Sequence, residues 1–570
     1  MKRLIVLATG LNGSPQKWQP LLERLGEEEL IVGSKWLIFN HCGFYDIQGF
    51  SKFFTKSIER LSLELKAKIE QYWLAAVASD EPFDDIICIG HSLGGLIVRQ
   101  AYLIAAGAYP ESVKSEVSWV EKVSRFVLLA SPNRGFESNN FLVSAGVDIS
   151  SATGLLPILR DMVQGAAFIT NLRIAWIRYF SSFNGQEPVM VQLLGIQDSL
   201  VKRKDSIDIQ QFPNGVQFDI SDANHHNIYH PHGRNSEALE EWELRYKVIK
   251  WAILQCNPQE PEEIPSELRG GVTVNPTESA PETTTVFVIH GIRDSNSGWA
   301  SQLEDQIRNL TNGKIAVVRS TYGYFSAFNF FFPWLRRQNI RWFQDEYSYR
   351  FALNPKTEFH FIGHSNGTYL LGESLKRVSA MRFNRIYLAG SVLPCEYPWQ
   401  ERFDLGQLRE LRNDRSYWDW PVGILCSGLR GLGMKDIGTG GFDGFYFDDP
   451  RIEEVYYYNG GHGEPLCKKN HTSILAFVLN GDRSHPFVLN GDRSHPPNVP
   501  KPIQFPVKFK FISRMAPYFA PLLLLLALCI VFLWIWWILQ GFAWNNLEFW
   551  LKLIISVAIV YFAYAVAKTG

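Results

Sequence analysis

Two serines in this 570-residue chain sit where a hydroxyl could become a nucleophile. Ser92 lies in Gly90-His91-Ser92-Leu93-Gly94, and Ser365 lies in Gly363-His364-Ser365-Asn366-Gly367. Both fit the pattern G-x-S-x-G. A serine hydroxyl attacks a carbonyl only when a base removes its proton, and the base needs a carboxylate to fix its tautomer. Such a set performs acyl transfer through a covalent acyl-enzyme. The glycines flanking the serine have no Cβ, so the turn that presents the hydroxyl can tighten. Five common residues also arise by chance, so the elements around them must decide.

Those elements agree. Ile86 to Ile89 reads as a buried strand before the first serine, and Leu96, Ile97, Ala101, Tyr102 and Ile104 recur at helical spacing after it. Around the second serine, Phe359 to Ile362 is the strand and Thr368 to Leu371 opens the helix. Strand, tight turn and helix are the context of a nucleophile elbow. Further strands are expected at Leu4 to Ala8, Arg125 to Ala130, Val189 to Gly195 and Val216 to Ile220. The second half repeats the plan at Val286 to Ile289, Ile315 to Arg319, Arg385 to Ser391 and Glu454 to Tyr458. A packing helix is expected over Gly49 to Ala78 and another over Ser236 to Leu254. Strands alternating with helices imply a mostly parallel sheet covered by helices, built twice.

With these motifs, both halves resemble α/β-hydrolases of the lipase and esterase type. The first half is most similar to the GPI-inositol-deacylase-like lipases. The resemblance implies an acid in the turn Gly195-Ile196-Gln197-Asp198, hence Asp198. It implies a histidine in the loop after the last strand, where the spacing H-x-x-x-x-P selects His226, with His225, His230 and His232 close by. Backbone N–H groups of Leu11 and Leu93 would form the oxyanion hole. Thr9 stands where family members carry the histidine of a His-Gly pair; the second half keeps that pair as His290-Gly291, with Ile292 and Asn366 as donors. There the implied acid is Asp419, with Asp414 as competitor, and the histidine is His462, with His471 as competitor. Phe136 to Gln186 is where a lid inserts in the family; a pair of helices packed on the body is the other reading.

Length excludes a single core, and 56 basic against 57 acidic side chains give a net charge of −1, so bulk charge does not favour nucleic acid. The 7 cysteines are scattered without a C-x-x-C pair, which argues against a disulfide framework or zinc site. No metal or cofactor is implied. The expected organisation is a hydrolase domain over 1–257, a Pro/Glu/Thr-rich linker over 258–285, a second domain over 286–480, a linker over 481–514 and a transmembrane hairpin over 515–570. The second linker holds the decapeptide FVLNGDRSHP twice in succession. Pro517 to Leu539 carries no charge and exceeds the roughly 20 residues of a bilayer span; Phe549 to Ala567, with Lys552, is the weaker return. Lys501, Lys508, Lys510 and Arg514 before the span place the domains in the cytoplasm by the positive-inside rule. Tyr322 to Phe343, aromatic with interleaved arginines, suits a membrane interface or a buried cap equally. The expected function is a membrane-anchored serine hydrolase that cleaves lipid or other apolar acyl esters. The alternative is a membrane-tethered scaffold in which one or both hydrolase folds only bind.

Overall fold

The computed structural model describes residues 2–539 except 12, 14, 41–55, 117, 137–156, 184–186, 202–214, 221–222, 232–235, 257–271, 275–283, 292–297, 321–332, 458–459 and 483–506. The chain divides into two compact units. One comprises Met1–Pro281 with Ile340–Thr357 and Arg377–Met381; the other comprises Glu282–Asn339, Glu358–Lys376 and Arg382–Gly570.

The first unit is built on seven strands: β1 Arg3–Ala8, β2 Lys35–Phe39, β3 Asp85–His91, β4 Val123–Leu129, β5 Val189–Gly195, β6 Gly215–Ile220 and β7 Val272–Val274. Their order is β2-β1-β3-β4-β5-β6-β7, and every neighbouring pair but β6–β7 is parallel. Continuous apolar runs such as Leu4–Ala8 form this sheet because both faces are covered. Helices α1 Pro15–Gly26, α2 Ile58–Ala78, α3 Leu93–Ala105, α4 Ala167–Ser181 and α5 Ser236–Leu254 supply the cover. Helix α2 starts at the N-cap Ser57; the expected Gly49 start lies outside the described residues. In the segment expected to hold a lid, α4 instead buries Trp176 and Phe180 against Tyr102 of α3, with ring centroids 6.1 and 5.9 Å away. The expected linker also needs correction, because Val272–Val274 pairs antiparallel with Val216–Phe218.

The second unit repeats the design with β8 Thr284–Ile289, β9 Ile315–Arg319, β10 Glu358–His364, β11 Phe383–Ala389, β12 Leu408–Ser416 and β13 Ile452–Tyr457, all parallel in the order β13-β12-β11-β10-β8-β9. Helices α6 Trp299–Thr311 and α7 Asn366–Arg377 flank it. In both sheets the order reverses once, between β1 and β3 and between β8 and β10. Ligands bind at the carboxyl ends of strands at such a reversal, and both serines stand there.

The last helix, α8 Val507–Leu539, begins inside the stretch expected to be a linker. Its first turns pack on the helical pair Pro421–Cys426 and Ser427–Gly431: Ser427 Oγ donates to the Ser513 carbonyl at 2.8 Å, and Ser513 Oγ donates to the Gly423 carbonyl. A Cβ on Gly431 would lie 2.0 Å from the Pro517 carbonyl oxygen, so only glycine allows this contact. Among the described residues no helix is long and apolar enough to cross a membrane. The expected first span lies within α8, where several side chains beyond Leu526 are outside the described set, and the expected return, Phe549 to Ala567, is wholly outside it.

Candidate active sites

Each elbow is strained in the same way. Ser92 has φ +50° and Ser365 φ +52°, a region non-glycine residues seldom occupy. The backbone N–H of Ser92 donates to the Leu129 carbonyl at 2.8 Å, and that of Ser365 to the Ala389 carbonyl at 3.1 Å, so the neighbouring strand holds each turn. The +2 glycines are required: a Cβ on Gly94 would lie 2.1 Å from the Ala8 carbonyl oxygen, and one on Gly367 2.5 Å from that of Ile289. Leu93 and Asn366 open the helices that follow, which aims helix N-termini, with their unpaired N–H groups, at the reaction centre. Gly10 and Gly291 come against the serines from the other side, since a Cβ on either would approach the serine Cβ to 3.1 and 2.6 Å. Leu11 is half-buried just past Gly10, and Ile292 lies outside the described residues.

In the first unit a full relay is assembled. Asp198 Oδ1 accepts from the backbone N–H groups of Leu200 (2.8 Å) and Val201 (2.9 Å), and its Oδ2 lies 2.9 Å from Nδ1 of His225. A carboxylate can only accept, so Nδ1 carries the proton. That leaves Nε2 of His225 to accept from Ser92 Oγ, 2.9 Å away. The histidine of the relay is therefore His225, which corrects the expectation of His226. The cause is a local turn. Asn224 Oδ1 accepts from the N–H groups of His226 (2.9 Å) and Asn227 (3.1 Å), while Asn227 Oδ1 accepts from the Asn224 N–H (2.7 Å). This reciprocal Asx pair turns His225 inward and His226 out to solvent. His230 is engaged with the Pro231 carbonyl at 2.8 Å, and His232 is outside the described residues.

The second unit places its pieces alike but leaves one contact open. Asp419 Oδ1 accepts from the Val422 N–H (3.0 Å), and Oδ2 lies 2.8 Å from His462 Nδ1. Among the described residues no hydrogen bond joins His462 to Ser365. The competitors have other partners. Asp414 is fully buried on Arg412 (2.8 and 3.1 Å) and the Tyr387 hydroxyl (2.8 Å). His471 donates from Nε2 to the Leu466 carbonyl at 2.9 Å and accepts at Nδ1 from Gln306 at 3.2 Å, so neither ring nitrogen is left for a serine.

Two features escaped the reading of residues one by one. Gly390 has φ +51°, and a Cβ there would come within 2.8 Å of the His462 ring; Ala130, with φ +47°, stands at the equivalent strand end of the first unit. The second is the histidine before each serine. His91 Nε2 lies 2.9 Å from the backbone oxygen of His225, and His364 Nε2 lies 3.3 Å from that of His462. The repeated dipeptide His-Ser in both elbows was the visible signal.

Residues 1–158 match the family described as "Putative serine esterase (DUF676)". The matching stretch contains the first elbow, Gly90 to Gly94, and is similar to serine esterases, a class whose chemistry is hydrolysis of ester bonds. A search of curated proteins finds no match. Among solved structures, phospholipase PlaB from Legionella pneumophila in complex with thio-NAD is similar at 16% identity and a TM-score of 0.23, covering 34% of this chain and 38% of PlaB. The monoacylglycerol lipase of Paleococcus ferrophilus is similar at 15% identity and 0.29, covering 44% and 93%. A thermophilic esterase from Thermogutta terrifontis is similar at 16% identity and 0.28, covering 45% and 86%. At these scores the likenesses carry no argument about substrate, and the fold rests on the strand order above.

Proposed function

We propose that this serine esterase works through Ser92, His225 and Asp198 on apolar acyl esters at a membrane, with Ser365, His462 and Asp419 as a second, differently poised site. The observation that carries the reading is the continuous chain of hydrogen bonds from Asp198 through His225 to Ser92. Ser92 attacks the ester carbonyl while His225 takes its proton, then returns it to the leaving alcohol. Asp198 keeps the imidazole in the reactive tautomer and stabilises the imidazolium. The N–H groups of Leu93 and Leu11 receive the developing oxyanion, a contribution of about 3 kcal/mol per donor. Water then attacks the acyl-serine by the same route in reverse.

Membrane anchoring is supported by α8, which exposes Leu522, Leu523, Leu524, Leu525 and Leu526 in succession and then Ile530, Leu533 and Trp536. Contiguous exposed apolar surface of this kind seeks lipid or a partner. With the basic residues before it, the helix would hold the catalytic units on the cytoplasmic side, whether or not 549–567 completes a hairpin. The open contact at Ser365 favours a second reading for that unit alone, a fold that binds an ester or acyl group without turning it over.

A fluorophosphonate probe labels only an activated serine. The expected result with the full chain is modification at Ser92, abolished by Ser92→Ala, and hydrolysis of apolar esters lost with it. An unlabelled Ser92 in folded protein refutes the reading.

A further inference from the structure

Each elbow contains a histidine that the acyl-transfer steps leave unused. His91 ends β3 and His364 ends β10; both are buried, at 5% and 9% exposure. Nδ1 of each is enclosed and has no hydrogen-bond partner. The other nitrogen of each meets the main-chain carbonyl of the relay histidine, at 2.9 Å for His91 and 3.3 Å for His364. A carbonyl only accepts, so each ring must be the neutral Nε2–H tautomer. Burial holds both imidazoliums well below the usual histidine range; His225, His226 and His230 add to this around His91, and His462 and His290 around His364. The ring of His91 is itself fixed, 4.6 Å from Tyr229, which stacks on Trp18 of α1 at 3.9 Å.

We propose that His91 is a positioning residue: its Nε2–H holds the carbonyl of His225 and thereby sets the reach of the His225 ring to Ser92, and His364 holds His462 in the same way. The inference rests on the function proposed above, in which His225 is the base. The hydrogen bond is short where the relay is closed and longer where it is open. A neutral donor suits the task. It grips the backbone without placing a second cation beside the imidazolium that forms during reaction, 5.3 Å away ring to ring.

The test uses the full chain in detergent. His91→Leu removes the donor at similar volume, and His91→Gln offers an amide N–H in its place. For His91→Leu, kcat should fall about 100-fold with KM little changed, the scale of a misplaced catalytic group. His91→Gln should recover at least part of kcat, again with KM little changed. Labelling of His91→Leu at the wild-type rate, or a loss of kcat that His91→Gln does not relieve, overturns the proposal. Wild-type Ser92 that fails to label, or His225→Ala that labels normally, instead refutes the underlying function. If His91→Leu does not fold, nitrogen-15 histidine spectra of the wild-type chain decide. His91 must show a proton on Nε2 and no titration from pH 8 to 5, and a proton on Nδ1 or a titrating ring overturns the proposal.

Discussion

Asp198 and Asp419 each divide their oxygens the same way, one to backbone N–H groups of the following turn and one to a histidine. The backbone bonds keep the side chain aimed at the histidine, so the amide analogue should fail although it fits. Asp198→Asn is expected to lower kcat by about four orders of magnitude, as an amide in that place stabilises the wrong imidazole tautomer. His226→Ala should leave activity within a fewfold of wild type, measured on the same ester. The neighbouring aspartate in the second unit behaves otherwise. Asp414 neutralises Arg412 where neither side chain meets solvent. Asp414→Asn should cost about 3–5 kcal/mol of that unit's stability by leaving a buried cation unpaired, read as a drop in the urea midpoint; Asp419→Asn should leave the midpoint nearly unchanged. Gly390→Ala belongs with these, since the added methyl meets the His462 ring. It should silence any labelling of Ser365 and spare Ser92. A pH effect follows from His360, whose burial lowers its pKa to about 4. The unfolded chain binds that proton from about pH 6.5 downward and the folded chain does not, so stability is full above 6.5 and falls between 6.5 and 4. His360→Leu should lessen that fall by up to about 1.4 kcal/mol per pH unit, measured by urea unfolding at pH 5 and 7.

Among the elements, the strands and both elbows were legible because burial on both faces demands unbroken apolar runs, and because a strand that ends in G-x-S-x-G has few other uses. The turns that carry Asp198 and Asp419 were legible from their places after strands. What sequence could not yield depends on side chains closing loops onto themselves. The choice of His225 over His226 is made by Asn224 and Asn227, and a spacing rule counted from Pro231 does not register that turn. Strand β7 has three residues, too few to show a period, and exists because β6 offers it an edge. The start of α8 was hidden because its first turn is basic and reads like a linker, while its partners Gly423, Ser427 and Gly431 lie far back in the sequence. That docking leads to another expectation. Gly431→Leu cannot coexist with the Pro517 contact, so it should displace α8 from the segment that begins at Asp419. The checks are faster proteolysis near residues 507–517 and loss of any reactivity at Ser365, with Ser92 unaffected.

At the scale of the whole molecule, one chain holds the same serine device twice, closed in one unit and open in the other. Titration with a fluorophosphonate should therefore run in two phases, a fast one mapped to Ser92 and a slow or missing one mapped to Ser365. Equal rates at both serines would show that the open contact has no kinetic meaning. The docking of α8 also gives the cell, or the experimenter, a way to change what the molecule is. Gly423 accepts from Ser513 and also donates to the Asp419 carbonyl, so the helix that would sit in the bilayer braces the second site's acid as well. A protease cut between residues 482 and 507, followed by loss of the tail, would thus do more than free the chain from a bilayer: it would strip the brace from Asp419 and leave whatever the second unit does to the first unit alone.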